Sequence, residues 1–391
     1  MDFNGEEAVK IAKSLAFPRA VGSAGEQMAS SFIEKKLIDS GYLLQREEFF
    51  VPLTPWGVIK TFALLALVIS IDARMLAPSF PIASSILIFL MVAFLAFYTF
   101  FWFKLLGSAS IFRWLISRKK KERLLRSHNI TASLPGHGRP GPHLYLIAHY
   151  DSKSQSLSLL HRAFFLLLSG LSLLWLGFSF LSSSSDALGS FPSLGVDFPL
   201  TLSILGIIPL LLLKTTNQSP GGLDNAGSLG VLLHLAEGLK GERPLRPGVT
   251  FLFSGAEELG LQGAFAYLRE HEKEIEKENS YFLNLDAVGI KGKLRIFSRK
   301  GFLPVGGESF LLSRLKEIAK PFKIGTWPFS FGFLMDHQAI LEKGYQAVTL
   351  ACPSKKILNV HTEMDTADHL EQEGMEEAGK FILAWLRSWE K

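Results

Sequence analysis

Two long apolar runs constrain the fold of this chain more than any other feature of its sequence. Residues 80–103 contain no charged side chain, and residues 163–181 form a second such run. A helix rises 1.5 Å per residue, so the first run would be ~36 Å long, and the second has the length of a minimal membrane span. Both runs are therefore predicted to be transmembrane helices.

A weaker apolar segment lies beside each of these runs. Residues 198–213 would be only ~24 Å long as a helix, and residues 56–77 carry Lys60, Asp72 and Arg74 near their ends. Each segment could instead be a buried helix of a soluble domain. Pairing each with its stronger neighbour predicts two helical hairpins, and each hairpin returns the chain to the side from which it came.

The overall composition agrees with membrane segments and argues against nucleic-acid binding. Apolar residues make up 48% of the chain, and the mean hydropathy is +0.24. The net charge is only +5, and basic residues are concentrated at positions 118–123 rather than along strands with aromatic residues. We therefore expect a lipid bilayer, and no nucleic acid, among the partners.

The N-terminus and the single cysteine give two smaller indications. Residues 1–13 contain three acidic residues and two lysines where the apolar part of a signal sequence would lie, so no cleavable signal is predicted. Cys352 is the only cysteine, which excludes an internal disulfide and fits a reducing compartment. A lone thiol of this kind is expected to be a buried apolar side chain.

Outside the hairpins, predicted strands alternate with predicted helices. The strands are expected at residues 45–51, 143–148, 249–253, 281–285 and 347–350, and the helices at 24–39, 228–239, 261–270 and 310–319. This alternation predicts an α/β fold with a mostly parallel, doubly wound sheet flanked by helices, into which the two transmembrane hairpins are inserted.

Polar residues interrupt this pattern mainly just after the predicted strands. In open α/β sheets, sites assemble at the carboxyl ends of the strands. Several carboxylates gathered there would repel one another unless a cation lay between them, and two divalent ions would supply it. Ligand sets of histidine and carboxylate suit zinc, cobalt or manganese. The residues concerned are His149, Asp151, Asp224, Glu257, Glu258 and Asp286.

Each of these motifs is common in isolation, but their ordered set is specific. The set closely resembles the zinc aminopeptidase family of aminopeptidase Y and bacterial leucyl aminopeptidase, which is peptidase family M28. The resemblance is weak over residues 5–55 and good over residues 140–390, apart from the inserted hairpin. It rests on His149-Tyr-Asp151, Asp224-Asn225, Glu257-Glu258, Asn284-Leu-Asp286 with Val288-Gly289, and His361 followed by Asp365-Thr366.

The resemblance implies a dinuclear zinc centre with a role for each residue. His149 and Asp286 would hold one metal ion, Glu258 and His361 would hold the other, and Asp224 would bridge both. Glu257 would be the general base, and Asp151 would orient the ligand His149. The implied activity is that of a membrane-anchored metallo-aminopeptidase, which hydrolyses peptide bonds near the N-terminus of peptides with a metal-activated water.

Some positions depart from the family pattern. Gly227 and Ser228 exchange the usual order of a serine and a glycine, while Met335 and Ile340 replace a serine and a phenylalanine in a late segment. No clear tyrosine lies where several members stabilise the oxyanion, so His337 is considered as a candidate, with a packing role at a helix start as the alternative.

The domain organisation that follows from this interpretation is a single peptidase domain interrupted twice. It comprises residues 1–55, 105–158 and 215–391, with transmembrane hairpins at 56–104 and 159–214. The alternatives are a glutaminyl cyclase-like acyltransferase, a non-catalytic binding scaffold on the same fold and, with the least support, a transporter. The intact ligand set favours the peptidase.

The flanking charges and the insertion point predict the membrane setting of this multi-pass protein. Basic residues flank the spans on the catalytic side, whereas the opposite loops offer only Arg74, so the catalytic domain is predicted to be cytoplasmic. The second hairpin is inserted between His149 and Asp224, which places the site close to the bilayer. Apolar or membrane-derived peptides are therefore the expected substrates.

Overall fold

The computed structural model describes residues 2–51, 55–107, 124–137, 141–183, 195–242, 245–298, 309–327 and 334–390, without the side chains of residues 55–59 and 98–107. The chain divides into two compact units. The first, called the sheet unit, comprises Met1–Pro52, Phe103–Ser154 and Thr216–Lys391. The second, called the helical unit, comprises Leu53–Trp102 and Gln155–Thr215. The basic residues at 118–123 lie outside the described residues.

The sheet unit is built on an eight-stranded sheet. Its strands are β1 (Leu44–Val51), β2 (Leu125–Leu134), β3 (His143–His149), β6 (Gly248–Ser254), β7 (Ser280–Leu285), β8 (Arg295–Phe297), β9 (Gly325–Trp327) and β10 (Gln346–Ala351). They lie in the order β1-β2-β6-β3-β7-β10-β8-β9. Two short strands, β4 (Ser154–Gln155) and β5 (Thr215–Thr216), pair separately.

The sheet is mixed: four of the seven strand pairings among the described residues are parallel, so the predicted mostly parallel arrangement holds at the centre, with antiparallel pairings on both sides of it. Its centre, β6-β3-β7-β10, is parallel, but β2 pairs antiparallel with both β1 and β6, and β8 pairs antiparallel with β10. The sequence pattern does not indicate β2 because its residues, LRSHNITASL, are largely polar. Antiparallel strands added to a parallel centre are common in large sheets.

Helices cover both faces of the sheet, as its buried residues require. In β3, Leu144 and Leu146 belong to one apolar cluster, whereas Tyr145 and Ile147 belong to another. Successive side chains of a strand point to opposite faces, so each cluster lies on its own face. The helices of this unit are Gly5–Leu15, Ala24–Asp39, Gly227–Lys240, Gln262–Glu270, Phe310–Ala319, Asp336–Glu342 and Gln372–Arg387.

The helical unit contains four apolar helices, Pro55–Leu76, Pro81–Gly107, Leu159–Ser182 and Asp197–Leu212. Within the described residues, only Leu159–Ser182 is long and apolar enough to cross a membrane by itself. The stretch Pro81–Phe97, which ends at the last described side chain of its helix, and Asp197–Leu212 are apolar but shorter. The described residues therefore contain one candidate membrane helix, and they do not confirm the two predicted transmembrane hairpins.

Candidate metal centre

The candidate ligands lie at the carboxyl ends of the central strands. Because these strands are parallel, the segments that follow them leave from the same edge of the sheet. His149 is the last residue of β3, and Asp286 directly follows β7. Glu257 and Glu258 follow β6 within four residues, in a short 3-10 turn. Asp224 lies just before the helix Gly227–Lys240.

The first group of donors consists of His149, Asp224 and Asp286, which are all buried. Each offers a ligand atom, and these atoms lie within 4.8 Å of one another. His149 Nε2 is 3.0 Å from Asp224 Oδ1. One histidine and two carboxylates at this spacing form a set that a zinc ion can bind.

The second group consists of Asp224, Glu258 and His361, whose ligand atoms also lie within 4.8 Å of one another. His361 Nε2 is 3.2 Å from Asp224 Oδ2 and 3.0 Å from Glu258 Oε1. Asp224 is common to both groups and turns one oxygen toward each histidine. A carboxylate in this position can bridge two metal ions, as dinuclear hydrolases require.

Three buried side-chain atoms support the fit of cations to these groups. Within the described part of the chain, Glu257 Oε1 has no hydrogen-bond partner, and His149 Nε2 and Glu258 Oε1 each lie 3.0 Å from a neighbouring donor or acceptor without forming a hydrogen bond of good geometry. Buried polar atoms are normally hydrogen-bonded, and each such atom in a native structure calls for an explanation. Divalent ions in the two groups would coordinate His149 Nε2 and Glu258 Oε1, so the residues present fit a pair of metal ions.

The pKa values of the carboxylates reflect their crowding. Burial, followed by the neighbouring Asp224, raises the pKa of Asp286 well above its usual range. Burial also raises the pKa of Glu257 well above its usual range, and Glu258 and Asp286 contribute to this rise. Burial opposes ionisation of Asp224 too, but His149 and His361 outweigh it and lower its pKa. The cluster therefore holds more carboxyl groups than its own histidines can balance.

Asp151 contacts both the glutamate pair and the histidine. Its carboxylate oxygens accept hydrogen bonds from the backbone N–H groups of Glu257 and Glu258, at 3.0 Å and 3.2 Å. His149 Nδ1 is 3.0 Å from the backbone oxygen of Asp151 and 3.6 Å from its Oδ1. Asp151 can therefore orient His149, as the sequence predicts, and it also fixes the backbone that carries the candidate base.

The loop that carries Asp224 is held by Asp365 and Asn225. The Asp365 carboxylate accepts hydrogen bonds from the backbone N–H groups of Leu223 and Asp224, at 2.8 Å and 3.2 Å. Asn225 donates to the Leu285 oxygen at 3.0 Å and accepts from the N–H of Ala287 at 3.2 Å. These bonds tie Asp224, the candidate bridging residue, to the end of β7, next to Asp286.

Arg19 is a buried cation that connects three segments beneath the site. Its guanidinium donates to Tyr150 O at 2.8 Å, Pro220 O at 2.7 Å and Gly221 O at 3.1 Å. It also donates to the backbone oxygens of Leu15 and Phe17. Although burial lowers the pKa of Arg19 to about 10, the group stays charged at neutral pH. The N-terminal segment thus anchors the chain next to both His149 and Asp224.

Lys153 contacts the candidate ligand Glu258, a role that the sequence pattern does not predict. Its Nζ lies 2.5 Å from Glu258 Oε2 and donates to the Glu258 backbone oxygen at 3.2 Å. Burial raises the pKa of Glu258, but His361 and Lys153 outweigh it, so the carboxyl group is ionised. The only signal in the sequence was the position of Lys153, two residues after Asp151.

His337, the candidate for oxyanion stabilisation, is fully buried at the start of the helix Asp336–Glu342. Its Nδ1 is 2.7 Å from Thr349 Oγ1, which also accepts a hydrogen bond from Asn284. These contacts match the alternative of a packing role. The neighbouring Asp336 accepts a bond from Ser254 Oγ at 2.5 Å, and burial raises its pKa to about 6.

Comparison with known proteins agrees with this geometry. Residues 209–386 match the model of peptidase family M28, which includes Asp224, Glu257, Glu258, Asp286 and His361 but leaves out His149. The candidate ligand His149 lies outside the match, and the fold places its Nε2 3.0 Å from Asp224 Oδ1.

Two relatives match less than half of the chain. Endoplasmic reticulum metallopeptidase 1 of Rattus norvegicus is 28% identical over 185 residues, 44% of this chain and 19% of its own length. Aminopeptidase YwaD of Bacillus subtilis is 28% identical over 172 residues, 42% of this chain and 37% of its own length. The matched region is thus well under half of either relative.

Solved structures share the fold. BSAP, a zinc aminopeptidase from Bacillus subtilis, aligns with a TM-score of 0.57 at 15% identity, covering 100% of this chain and 96% of that one. The glutaminyl cyclase of an Acidobacteriales bacterium aligns equally well, with a TM-score of 0.57 at 16% identity and the same coverage. At such identities the likeness concerns the fold alone, so the choice of reaction depends on the site.

Proposed function

We propose that this chain is a dinuclear zinc aminopeptidase of the kind found in peptidase family M28, and that it removes residues from the N-terminus of peptides. The observation that carries the proposal is the sharing of Asp224 between two groups of metal ligands. His149 and Asp286 would hold one ion together with Asp224, and Glu258 and His361 would hold the other. The names of aminopeptidase YwaD and of the zinc aminopeptidase BSAP support the same reaction.

Glu257 would act as the general base. Bound divalent ions would polarise the peptide carbonyl and acidify the attacking water. Glu257 lies beside the ligand Glu258, its Oε1 is buried without a hydrogen bond among the described residues, and its backbone is fixed by Asp151. Its carboxylate would take a proton from the attacking water and pass it to the leaving amine. The two adjacent glutamates would thus have different roles: Glu258 would bind metal, and Glu257 would transfer the proton.

A glutaminyl cyclase-like reaction is the second candidate because cyclases share the fold. The two donor groups that share Asp224 favour the peptidase, since a pair of ions suits hydrolysis by a metal-activated water. The test combines metal counting by mass spectrometry with assays on amino-acid p-nitroanilides and on peptides that begin with glutamine. Two ions per chain and release of p-nitroaniline are expected. One ion with cyclisation of N-terminal glutamine would show the second candidate to be right, and two ions without either activity would favour a binding scaffold.

We also propose that the helical unit is embedded in a bilayer as two hairpins. Its helices expose many large apolar side chains. Soluble proteins rarely leave large contiguous apolar patches uncovered. Its hydroxyl groups bond to carbonyls inside the unit, as Ser70 does to Ala66 at 2.6 Å and Ser85 to Gly177 at 2.8 Å. The exposed side chains include Leu64, Val68, Met75, Leu90, Phe94, Phe164, Leu167, Leu171, Phe178, Leu205 and Leu212.

Membrane extraction tests this embedding. The full-length protein should stay in the membrane pellet in alkaline carbonate and should dissolve in detergent. Release by carbonate would contradict the proposal.

In the embedded protein, apolar or membrane-derived peptides would be the preferred substrates. A comparison of apolar and polar peptides of equal length in reconstituted vesicles would measure this preference.

A cytoplasmic catalytic domain remains the proposed orientation. Cys352 is buried, as the sequence predicts, so it cannot serve as an accessible label. In a Cys352→Ser background, Ser184→Cys should react with a membrane-impermeant maleimide in intact cells, whereas Lys120→Cys should not. The reverse pattern would place the catalytic domain on the other side.

A further inference from the structure

A groove lined by four lysines lies at the same edge of the sheet as the metal centre. Its volume is ≈ 740 Å³, which falls within the usual size of ligand pockets, ~300–1,000 Å³. None of the metal ligands lines it. The lining residues are Ile290, Lys291, Lys293, Pro353, Ser354, Lys355, Lys356, Leu358 and Glu371.

The walls of this lysine groove are continuations of the segments that carry metal ligands. One wall begins four residues after Asp286, and the other ends shortly before His361. Strands β7 and β10 are parallel neighbours, so the segments that follow them leave from the same edge. Five residues span at most ~18 Å, which sets an upper limit on the distance between Lys291 and Asp286 and between Lys356 and His361.

The groove is positively charged, although two of its four lysines are in ion pairs: Lys356 with Glu371, and Lys291 with Glu373 at 3.7 Å. Glu371 is its only lining carboxylate among the described residues, and it is already engaged by Lys356 Nζ at 2.8 Å and by the N–H of Lys291 at 3.0 Å. Lys293 and Lys355 are exposed and form no ion pair within the described ranges. The metal centre, by contrast, is rich in carboxylates. A peptide with a positive N-terminus and acidic side chains further along would complement both regions.

We propose that the lysine groove binds acidic side chains of the peptide substrate, downstream of the bond that is cleaved. An extended peptide advances about 3.3 Å per residue, so a chain held at the metal centre reaches the groove within its first six residues. This inference rests on the proposed aminopeptidase function and adds a preference for peptides with aspartate or glutamate at about positions four to six. Hydrolysis of substrates that are too short to reach the groove should not depend on its lysines.

The test uses three substrates and two matched double variants of the full-length protein. The substrates are Leu-Gly-Gly-Asp-Asp-Asp, Leu-Gly-Gly-Asn-Asn-Asn and leucine p-nitroanilide. The first variant combines Lys293→Gln and Lys355→Gln, and the control combines Lys13→Gln and Lys35→Gln, two exposed lysines on helices away from the groove. The specificity constant for release of leucine is measured at low and at high salt.

The natural protein and the control should prefer the aspartate peptide about tenfold at low salt, which is what two or three exposed ion pairs supply. High salt and the groove variant should each remove this preference, because exposed charges are screened. Hydrolysis of leucine p-nitroanilide should be equal in all three proteins. An equal preference for both peptides, or a preference that survives in the groove variant, would overturn the proposal.

Direct binding separates this proposal from the proposed function. A fluorescein-labelled, N-acetylated aspartate peptide should bind the natural protein more tightly than the groove variant in an anisotropy titration, even if no peptide is hydrolysed. If hydrolysis fails but this binding difference appears, the groove assignment stands and the aminopeptidase assignment falls. If the groove variant instead loses binding to phosphatidylserine vesicles and keeps its peptide binding, the groove is a lipid-headgroup site and the proposal is wrong.

Discussion

The Asp151 carboxylate accepts a hydrogen bond from the backbone N–H of Glu257, with 3.0 Å between Oδ1 and the nitrogen. Its second oxygen accepts from the N–H of Glu258 at 3.2 Å. Its contact with His149 instead runs mainly through the Asp151 backbone oxygen, at 3.0 Å. The buried Asp151 side chain therefore fixes the backbone of both the candidate base Glu257 and the candidate metal ligand Glu258.

Replacing this carboxylate should weaken metal binding. In Asp151→Asn, the amide can accept only one of the two N–H bonds, and its NH₂ group opposes the other. We expect metal affinity to fall by about 10- to 100-fold, as is usual for groups that hold ligands in place. Competition with a chelator measures the affinity, and Asp39→Asn at an exposed helix end is the control. Unchanged affinity would show that Asp151 does not position the ligands.

The two adjacent glutamates should differ in their response to substitution. Glu257→Gln should keep both metal ions and lower turnover by about 10²- to 10⁴-fold, the usual contribution of a general base. Glu258→Gln should lose an ion because Glu258 is a ligand of the second group. Metal content and turnover are measured on the same samples, with the exposed Glu270→Gln as control. Equal metal loss in both variants would contradict this division of roles.

Asp224 should matter to both metal positions. In Asp224→Asn, the neutral amide cannot balance two ions, so both positions should lose metal. His149→Ala should empty only the position that it shares with Asp286, because His149 belongs to the first group alone. Mass spectrometry of the purified proteins counts the ions per chain. Retention of two ions by Asp224→Asn would show that this carboxylate does not bridge.

Metal binding should release protons and should weaken as pH falls. Without metal, burial and Asp224 raise the pKa of Asp286 well above its usual range. Burial lowers the pKa of His149, but Glu257, Asp151 and Asp224 outweigh it and raise the pKa well above its usual value. Both groups therefore keep their protons to a higher pH than usual, and both must lose them to bind zinc. Affinity therefore rises as pH rises through these values.

Calorimetry in buffers of different ionisation enthalpy measures this release. Protons should leave as metal binds to the group that contains His149 and Asp286, and Asp286→Asn should release fewer of them. Identical heats in all buffers would mean that the site is already deprotonated.

Arg19 should be essential to stability. Arg19→Lys cannot supply donors to all the carbonyl oxygens that the guanidinium binds, which include those of Tyr150, Pro220 and Gly221. Leaving buried acceptors unpaired costs about 1–3 kcal/mol each, so we expect the free energy of unfolding to fall by about 3 kcal/mol or more. Chemical denaturation measures the change, with the exposed Arg387→Lys as control. A loss below about 0.5 kcal/mol would show that these bonds are easily replaced.

The sequence by itself determined the elements whose signals are local. The helices Ala24–Asp39 and Phe310–Ala319 have the predicted bounds, and in the structure Ser23 caps the first of them. The parallel strands were found because their cores are continuous apolar runs. The candidate ligands were identified because polar residues interrupt the chain directly after those runs, and the site residues remain predictions until metal is counted.

Only the tertiary structure decided how these residues meet. The polar strand β2 carries no strong local signal, and its place between β1 and β6 depends on pairing partners far along the chain. Glu258 and Lys153 are 105 residues apart, and Arg19 lies 201 residues from Pro220. Such contacts form because the order of strands in the sheet brings distant loops to one edge. The sequence identifies the charged side chains of the candidate site, but the pairing of strands sets the distances between them.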